Sequence, residues 1–472
     1  MTIVEMLKDT AHAEERIAEA VKKAQESQKD LNAIVTFIDP AEQISHLNEH
    51  KGALLEGVPV VVKDNVSTKG IKTTASSRIL ENYVPVFDAA IVKKLKKAGA
   101  VIIAKTSMDE LAMGGTNTTS LTGPVHNPHN LDCMAGGSSG GSAALVAAGV
   151  VPMAIGSDTG DSIRKPASYC GVVGLKPTYG RISRYGIIPY SSSLDHVGVF
   201  TRSVKDAAIS LEALAGRDDH DMTSSSLPVE HYIDAVKGDV KGKKIAVLKN
   251  VMDDIDNEAT LQCFNDVVEG LKAKGAVVDV VEMNEELLKA LLPTYYLIAN
   301  CEATANHSNL DGIRFGRQVS AETADDIMMK TRTEGFGPLI RKRFVIGSYG
   351  LFEENQEKMF RQAQRVRRLI VEDVNRILKE YDVFAAPAAP EGAPKLDDSS
   401  RNEISSEPHI SENYMALGNF TGYPSVTVPM GLVDGLPVGL NLTGRAFEEG
   451  ELLNIAQAVE DITGLCDSKV GD

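Results

Sequence analysis

The sequence predicts an α/β protein with a large, mixed but mostly parallel central sheet flanked by helices. Short β-branched runs alternate with segments of helical periodicity along most of the 472 residues. Strands that alternate with helices in this way usually pair in parallel, with the helices packed on the faces of the sheet. The 40 glycines mark many boundaries between these runs as tight turns.

The first quarter of the chain predicts helices and strands in alternation. The predicted helices cover residues 3–29 and 89–98, and the predicted strands cover residues 33–38, 58–62 and 101–104. Lys63 directly follows the second of these strands, and Gly99 closes the second helix as a C-cap. The resulting strand–helix–strand unit implies parallel pairing.

The rest of the chain predicts a second set of elements. Residues 114–142 are rich in Gly, Ser, Thr and Asn and predict the least regular segment. Helices are predicted at 141–149, 204–215, 258–274 and 449–462, strands at 152–156, 244–249, 276–281, 384–390, 426–429 and 438–443, and a polar loop at 393–408. We interpret residues 1–472 as a single domain with an N-terminal helical segment, 1–50, and a mainly helical insertion at about 285–380.

Composition excludes several functional classes. The net charge of −16 disfavours direct binding of nucleic acid, because affinity for phosphate backbones comes from Lys and Arg. The five cysteines are odd in number and include no CxxC pair, so neither a disulfide framework nor a zinc site is predicted. No stretch approaches the roughly 20 apolar residues that span a bilayer, and the N-terminus lacks the pattern of a signal peptide. These features predict a cytoplasmic protein without a membrane segment.

Two glycine- and serine-rich turns, within residues 136–177, are the first candidate for chemistry. They flank a predicted helix and strand, which would bring Ser138 and Ser162 to the same edge of the sheet. Backbone N–H groups in such turns can point inward, as the stabilisation of an oxyanion requires. A phosphate-binding loop is the alternative, but the run GGSSGGS lacks the GxxxxGK[ST] spacing.

A serine nucleophile needs a base. His126, His129 and His196 lie nearby in sequence, but none follows a predicted strand and precedes an orienting acid. Lys63 ends the apolar run VPVVVK, where burial would depress its pKa towards neutrality and make the amine a competent base. By pattern alone, an ordinary strand-end lysine that reaches solvent is the more common interpretation of Lys63.

Several long motifs resemble those of the amidase signature family. They are VVVKDN at 60–65, GGSSGGS at 136–142, GSDTGDSIRKPA at 156–167 and GVVGLKPTYGRISRYG at 171–186. Within that family the sequence most resembles the A subunits of aspartyl/glutamyl-tRNA amidotransferases. This likeness rests on SSLDHVG at 192–198, YYLIANCEATANHSNLDGIRFG at 295–316, EGFGPLIRKRFVIGSY at 334–349 and NFTGYPSVTVPMG at 419–431.

The resemblance implies the amidase signature fold and a role for each residue of a Ser–Ser–Lys centre. Ser162 matches the nucleophile, Lys63 the general base, and Ser138 the bridging serine, whose preceding peptide bond is cis in the family. The backbone N–H groups of Thr159, Gly160, Asp161 and Ser162 then line the oxyanion hole.

The resemblance also implies free glutamine as the substrate. Arg343 aligns with the arginine that holds the α-carboxylate, Glu412 with the acid that holds the amino group, and Tyr295 with an aromatic residue of the pocket. Three residues depart from the usual pattern. Asp161 stands in place of Gly and adds a negative charge beside the oxyanion, Glu412 stands in place of Asp, and Lys165 stands in place of Gln.

The implied function is that of a glutaminase subunit that supplies ammonia for the amidation of Glu-tRNA(Gln), Asp-tRNA(Asn) or both. The implied partners are a tRNA-binding B subunit and a small C subunit, with tRNA reached only through the complex. No cofactor or metal is expected in this chain, since ATP and Mg²⁺ belong to the partner in that family. A free-standing amidase on another small carboxamide is the alternative, and a non-enzymatic partner protein is a third hypothesis.

Overall fold

The computed structural model describes residues 1–398, 409–465 and 467. In this part of the chain eleven strands form one sheet, and two more form a separate small hairpin. The strands are β1 (Ile34–Phe37), β2 (Pro59–Lys63), β3 (Val101–Thr106), β4 (His126–Asn127), β5 (Asn130–Met134), β6 (Met153–Asp158), β7 (Val173–Lys176), β8 (His196–Thr201), β9 (Lys244–Leu248), β10 (Val277–Val281), β11 (Val383–Pro387), β12 (Ser425–Val433) and β13 (Leu436–Gly444).

The order of strands in the large sheet is β1-β3-β2-β6-β8-β7-β12-β13-β11-β9-β10. Parallel pairs lie towards its two sides, where β3, β2 and β6 are neighbours and where β11, β9 and β10 are neighbours. The middle of the sheet is antiparallel, from β6 through to β11. The sheet is therefore mixed, as predicted, with helices on both faces.

The prediction that the sheet is mostly parallel is wrong. Four of the ten strand pairings are parallel and six are antiparallel. One reason is the hairpin that joins β12 to β13 through Asp434 and Gly435, both of which have positive φ, at 51° and 78°. An Asp-Gly pair between two apolar runs is typical of such a turn and would have predicted this antiparallel pair. The strands β7 and β8 were not predicted from the sequence.

Helices surround the sheet. They are α1 (Ile3–Met6), α2 (Ala13–Leu31), α3 (Ala41–Ser45), α4 (Ala90–Lys97), α5 (Gly140–Ala147), α6 (Arg164–Cys170), α7 (Val204–Leu214), α8 (Tyr232–Ala235), α9 (Lys249–Met252), α10 (Glu258–Ala273), α11 (Glu285–Lys289), α12 (Leu291–Asn306), α13 (Ala324–Gly335), α14 (Pro338–Leu351), α15 (Glu353–Gln356), α16 (Gln362–Leu378), α17 (Ile410–Asn413), α18 (Ala416–Thr421) and α19 (Glu449–Thr463). Short 3₁₀ turns cover Thr10–His12, Leu47–His50, Arg78–Leu80, Glu110–Ala112 and His307–Asn309, and a π-helical turn covers Glu357–Arg361.

Most of the predicted elements are present with small shifts at their ends. The segment 285–380 is mainly helical, as predicted, and contains α11 to α16. The segment 114–142 is more regular than predicted, because it contains the β4–β5 hairpin and the start of α5. Of the predicted polar loop at 393–408, residues 399–408 lie outside the described residues.

The faces of β2 explain where Lys63 points. Val60 and Val62 pack in the core on the side of α4, α7 and α19, whereas Val61 packs on the side of α2 and α5. Since successive side chains of a strand alternate between the two faces, Lys63 follows Val61 towards α5. The strand β6 lies next to β2 and runs parallel to it, so the loops that follow both strands meet at one edge of the sheet.

Two further predictions concern the cysteines and the membrane. The four described cysteines, Cys133, Cys170, Cys263 and Cys301, form no disulfide. Cys466 lies outside the described residues. Among the helices that the structure describes, none combines the length and apolar character that a bilayer span requires.

Candidate active site

Lys63 lies buried at the carboxyl end of β2, in contact with three serines. Its Nζ atom lies 2.8 Å from Ser138 Oγ and 2.7 Å from Ser139 Oγ. On the neighbouring strand, Ser157 contributes its Oγ at 3.0 Å and its carbonyl oxygen at 3.2 Å. Lys63 is therefore not the solvent-reaching lysine that its sequence pattern also allowed.

The environment of Lys63 favours the neutral amine. Burial lowers the pKa of Lys63 to about 7, against the opposing effect of the carboxylates of Asp109, Asp158 and Asp195. The side chain forms no ion pair with an acid in the described ranges, and its polar contacts are hydroxyl and carbonyl oxygens. An amine with this pKa has a large neutral fraction near pH 7 and can accept a proton there.

Ser138 lies in the turn between β5 and α5. The Gly137–Ser138 peptide bond is cis, as the family resemblance implies. The Asp109 backbone N–H donates to the Ser138 carbonyl oxygen at 3.1 Å, and the Gly137 N–H donates to the Gly115 carbonyl oxygen at 2.9 Å. A Cβ atom on Gly137 would lie only 2.0 Å from Asp109 Oδ2, so this close approach requires glycine.

Ser162 lies in the adjacent turn, between β6 and α6, and is almost fully buried. The backbone N–H groups of Thr159, Gly160, Asp161 and Ser162 donate no hydrogen bond to any residue that the structure describes. Four consecutive N–H groups without a protein acceptor are available to an oxyanion. The structure brings Lys63 and Ser138 into direct contact, whereas the Ser162 hydroxyl makes no hydrogen bond within the described residues.

A buried ion pair fixes the Ser162 turn. Asp158, the last residue of β6, pairs with Arg164 through Nη2 and Oδ1 at 2.9 Å, and both side chains are fully buried. Arg164 Nη2 also donates to the Gly160 carbonyl oxygen at 2.7 Å, and the Ile163 N–H donates to Asp158 Oδ2 at 2.9 Å. Asn419 completes the network, since it accepts from Arg164 at 2.7 Å and donates to Asp158 at 2.9 Å.

This network keeps Asp158 ionised. Burial opposes ionisation, but the Arg164 guanidinium and the other donors hold the pKa of the Asp158 carboxyl well below its usual range. A second acid, Asp195, accepts from the Thr159 hydroxyl at 2.7 Å and from the backbone N–H groups of Tyr190 and Ser191 at 2.8 Å and 3.0 Å. The Asp195 carboxylate therefore holds the start of the turn at Thr159, and the Asp158 carboxylate holds its end at Ile163.

Arg343 lies on α14 and is buried, whereas its neighbours Arg341 and Lys342 are exposed. Its Nη1 atom donates to the Tyr190 hydroxyl at 2.7 Å, and the guanidinium lies 5.2 Å from the centre of the Tyr296 ring. The Nε atom has no hydrogen-bond partner among the described residues, and no described acid forms an ion pair with this guanidinium. A buried cation of this kind fits an anionic ligand group.

Tyr295 contacts the turn that carries the four N–H groups. A Cβ atom on Gly160 would lie 3.0 Å from the hydroxyl and from Cζ of Tyr295, so the ring packs against the Gly160 backbone. Tyr295 is half-buried and lies on α12, next to Tyr296, which faces Arg343. The helical insertion therefore supplies one wall of the site.

Glu412 reaches the site through its backbone. Lys165 Nζ donates to the Glu412 carbonyl oxygen at 2.7 Å and forms an ion pair with Asp161 Oδ2 at 2.8 Å. Burial disfavours the ammonium, but the carboxylates of Asp161 and Glu412 hold the pKa of Lys165 above its usual value. The three residues that depart from the family pattern thus form one cluster.

A cavity of about 270 Å³ adjoins Lys63's partner Ser157. Asn65 and His196 also line it, and both are buried. Asn65 Oδ1 and His196 Nε2 have no hydrogen-bond partner in the described ranges. His196 Nδ1 lies 2.6 Å from the Leu194 carbonyl oxygen and so carries the proton, which leaves Nε2 as an acceptor. Burial holds the pKa of His196 well below its usual value, so the ring is neutral.

Several residues of the site were not predicted from the sequence. Ser139 and Ser157 both contact Lys63. The parallel pairing of β2 with β6 aligns Val62 with Ile155, so the residues that follow them, Lys63 and Ser157 among them, lie close together at the ends of the two strands. Asp158 and Arg164 lie inside the quoted motif GSDTGDSIRKPA, but their pairing was not predicted. No local pattern pairs Tyr190 with Arg343 or Asn419 with Asp158, because these partners lie 153 and 261 residues apart in sequence.

Comparisons with known proteins identify the family and the fold. A family model described as Amidase matches residues 15–453. The A subunit of glutamyl-tRNA(Gln) amidotransferase from Lactobacillus acidophilus is 42% identical over 449 residues, which cover 95% of this chain and 92% of that protein. The crystal structure of the corresponding A subunit from Thermotoga maritima matches with a TM-score of 0.80 at 36% identity, covering 98% of this chain and 94% of that one. Native peptide amidase from Stenotrophomonas maltophilia matches with a TM-score of 0.83 at 28% identity, covering 98% and 97%.

Proposed function

The chain belongs to the amidase family, and we propose that it is the glutamine-hydrolysing subunit of a tRNA-dependent amidotransferase, in which it supplies ammonia to a partner subunit. The acceptor of the ammonia is glutamate or aspartate on a misacylated tRNA. The name of the Lactobacillus acidophilus relative supports the glutamate form, and the extent of that match, 95% of this chain, supports a role for the whole subunit.

The buried Arg343 guanidinium is the observation that carries the substrate assignment. It has a tyrosine hydroxyl at 2.7 Å and aromatic rings around it, but no ion pair with a described carboxylate to balance its charge. The α-carboxylate of glutamine would supply that balance, and a simple carboxamide would not. Glu412 would bind the substrate amino group, and Tyr295 would line the pocket beside Gly160.

In the proposed reaction, neutral Lys63 accepts a proton from Ser138, and Ser138 accepts one from Ser162 as the Ser162 oxygen attacks the side-chain amide carbon. The hydrogen bonds around Lys63 support Ser138 as the relay. The Ser139 hydroxyl donates to the Ser157 carbonyl oxygen at 3.1 Å, so its proton is committed, whereas the Ser138 hydroxyl contacts only Lys63 within the described residues. The Lys63 lone pair can therefore receive the Ser138 proton.

The negative charge that develops on the amide oxygen would be stabilised by the four N–H groups of residues 159–162, each worth about 2.7–4 kcal/mol in comparable sites. Protonation of the leaving nitrogen by the Lys63 ammonium, through Ser138, breaks the C–N bond and releases ammonia. Water then attacks the acyl-Ser162 ester, with the same base, and releases glutamate.

The cavity beside Ser157 supports the release of ammonia on this side of Lys63. Asn65 Oδ1 and the neutral His196 Nε2 are hydrogen-bond acceptors, and ammonia is a small molecule that donates hydrogen bonds through its N–H groups. Water or ammonia would satisfy these atoms, whereas an apolar group would leave them unpaired.

Two features of the sequence support a role for partner subunits. It contains no P-loop motif, and its charge of −16 disfavours tRNA binding by this chain alone. Activation of the tRNA-bound carboxylate with ATP and Mg²⁺, and binding of the tRNA, would then belong to a B subunit, with a small C subunit completing the complex.

Reconstitution tests this proposal. The chain is assayed alone and with the B and C subunits, in the presence of glutamine, ATP and misacylated tRNA, and both glutamate and amidated aminoacyl-tRNA are measured. We expect slow glutamine hydrolysis by the chain alone, and transfer to tRNA only by the complex. Robust ATP-dependent transfer by the chain alone, or rapid turnover of simple amides without any preference for glutamine, would show a free-standing amidase or another activity instead.

Ser162→Ala provides the matched control. In the complex this variant should lose glutamine-dependent transfer and keep transfer from added ammonium, because the partner's chemistry does not need the Ser162 hydroxyl. Loss of both activities would mean that the variant disrupts the assembly, and retention of both would exclude Ser162 as the nucleophile.

A further inference from the structure

Lys165 joins two parts of the chain that are distant in sequence. From the first turn of α6 its ammonium pairs with Asp161 Oδ2 at 2.8 Å, and it donates to the carbonyl oxygen of Glu412 in α17 at 2.7 Å. The Lys165 side chain is 10% exposed and that of Asp161 is 22% exposed, so neither charge is fully hydrated. An ion pair this shielded interacts more strongly than one on the surface.

Asp161 places a carboxylate where negative charge is unfavourable. It directly precedes Ser162, and its own backbone N–H is one of the four that lack an acceptor in the described residues. A carboxylate in this turn opposes the negative charge that develops on the amide oxygen, unless a cation neutralises it. Lys165, one helical turn further along, is the cation in contact with it.

The Lys165 ammonium has a second contact, with the backbone of Glu412. α17 contains only four residues, so contacts from outside the helix determine where it lies. Its Ser411 side is held by Asp254, with the Ser411 N–H and Oγ each 2.8 Å from Asp254 Oδ2. On the site side, Lys165 contacts the carbonyl of Glu412, the residue assigned to the substrate amino group.

We propose that Lys165 is a positioning residue, which neutralises the Asp161 carboxylate beside the oxyanion-binding turn and fixes the Glu412 segment against α6. Asp161 and Lys165 are therefore functionally a single unit, in which the lysine compensates for the aspartate. This inference rests on the proposed amide hydrolysis at Ser162 and adds a requirement for that site.

A double-mutant cycle tests the unit. Wild type, Lys165→Gln, Asp161→Asn and the double variant are assayed for glutamine hydrolysis in the complete complex. We expect Lys165→Gln to lower kcat about 10- to 100-fold, which is below the loss from an entire oxyanion-hole donor, with a smaller change in KM. The double variant should recover most of the lost kcat, because no carboxylate is then left uncompensated. Lys165→Arg, which keeps the charge, should stay close to wild type.

Lys23→Gln is the matched control, because Lys23 forms an ion pair with Glu19 at the same i,i+4 spacing on the exposed face of α2, at 2.7 Å. It should leave kcat unchanged. The proposal is overturned if Lys165→Gln retains wild-type kcat, or if the double variant is as impaired as Lys165→Gln alone. That second result would mean that Lys165 acts by packing and not through the charge of Asp161.

A readout without substrate separates this inference from the proposed function. The same four proteins are unfolded by heat, and the coupling between positions 161 and 165 is taken from the shifts in Tm. If wild type hydrolyses no glutamine, the proposed function fails, and the cycle is repeated on a simple carboxamide. Coupling in both Tm and amide turnover supports the unit, and its absence from either one overturns it.

Discussion

Lys63 Nζ lies 2.8 Å from Ser138 Oγ and 2.7 Å from Ser139 Oγ, so two adjacent hydroxyls contact the same buried amine. Only one of them has its proton committed elsewhere, since the Ser139 hydroxyl donates to the Ser157 carbonyl oxygen. The contact between Lys63 and Ser138 is therefore the one through which a proton can pass. This distinction makes the two neighbouring serines experimentally separable.

Ser138→Ala should lower kcat for glutamine hydrolysis by about two to four orders of magnitude, the range typical of lost acid–base catalysis. Ser139→Ala should lower it far less, because Lys63 keeps its contacts with Ser138 and Ser157. Steady-state glutaminase assays of both variants provide the measurement. Similar losses in the two would contradict the assignment of Ser138 as the relay.

Activity should rise with pH through about 7. Since burial lowers the pKa of Lys63 to about 7, the amine is protonated and inactive as a base below that pH and neutral above it. The acid limb of the profile of kcat/KM against pH is the quantity to measure. Lys63→Arg should be as inactive as Lys63→Ala, because arginine stays protonated. A profile that is flat between about pH 5.5 and 8.5 would exclude Lys63 as the titrating base.

Arg343→Ala should raise KM for glutamine by about 10- to 100-fold, which corresponds to the loss of a charge-assisted pair with the α-carboxylate. Turnover of propionamide, which lacks that carboxylate, should change much less. Arg341→Ala, two residues away on the exposed side of α14, is the control and should leave both substrates unaffected. Equal losses on the two amides would assign Arg343 a structural role.

Asp158→Asn should destabilise the protein by about 3–5 kcal/mol, because it leaves the Arg164 guanidinium buried without a carboxylate. Urea unfolding measures the free energy of unfolding of both proteins. The exposed pair of Arg368 with Glu372 supplies a control, since Glu372→Gln should change the free energy of unfolding by less than about 1 kcal/mol. The pKa of Asp158 lies well below its usual range, so Asp158 stays ionised above pH 5. The difference in unfolding free energy between wild type and Asp158→Asn should therefore not vary between pH 5 and 8. A strong loss of the difference on mild acidification would show that Asp158 is not the ionised partner.

Several elements of the site were predictable because their signals are local. The β-branched run that forms β2 ends at Lys63, and the glycine- and serine-rich turns place Ser138 and Ser162 next to predicted helices and strands. The mixed character of the sheet was also predicted, but its antiparallel middle was not. Pairing direction depends on how distant strands meet, and the only local indication, the turn at Asp434 and Gly435, concerns one pair.

The family resemblance supplied the substrate residues, whereas the physical environment of each came from the structure. Arg343 lies in the run RKR, whose three side chains look equivalent in sequence, yet only the third is buried, beside Tyr190. Lys165 had no explanation as an isolated departure from the family pattern. Its role emerged from its contacts with Asp161 and Glu412.

The sequence by itself determined which segments become strands, helices and turns around the site, because periodicity and glycine-rich turns act over a few residues. It also determined, through its motifs, the family to which the chain belongs. Only the tertiary structure decided which charges are buried and what neutralises them. Desolvation of Lys63, the lack of a counterion at Arg343 among the described residues and the contact of Lys165 with Glu412 depend on segments separated by tens to hundreds of residues, which no local pattern brings together.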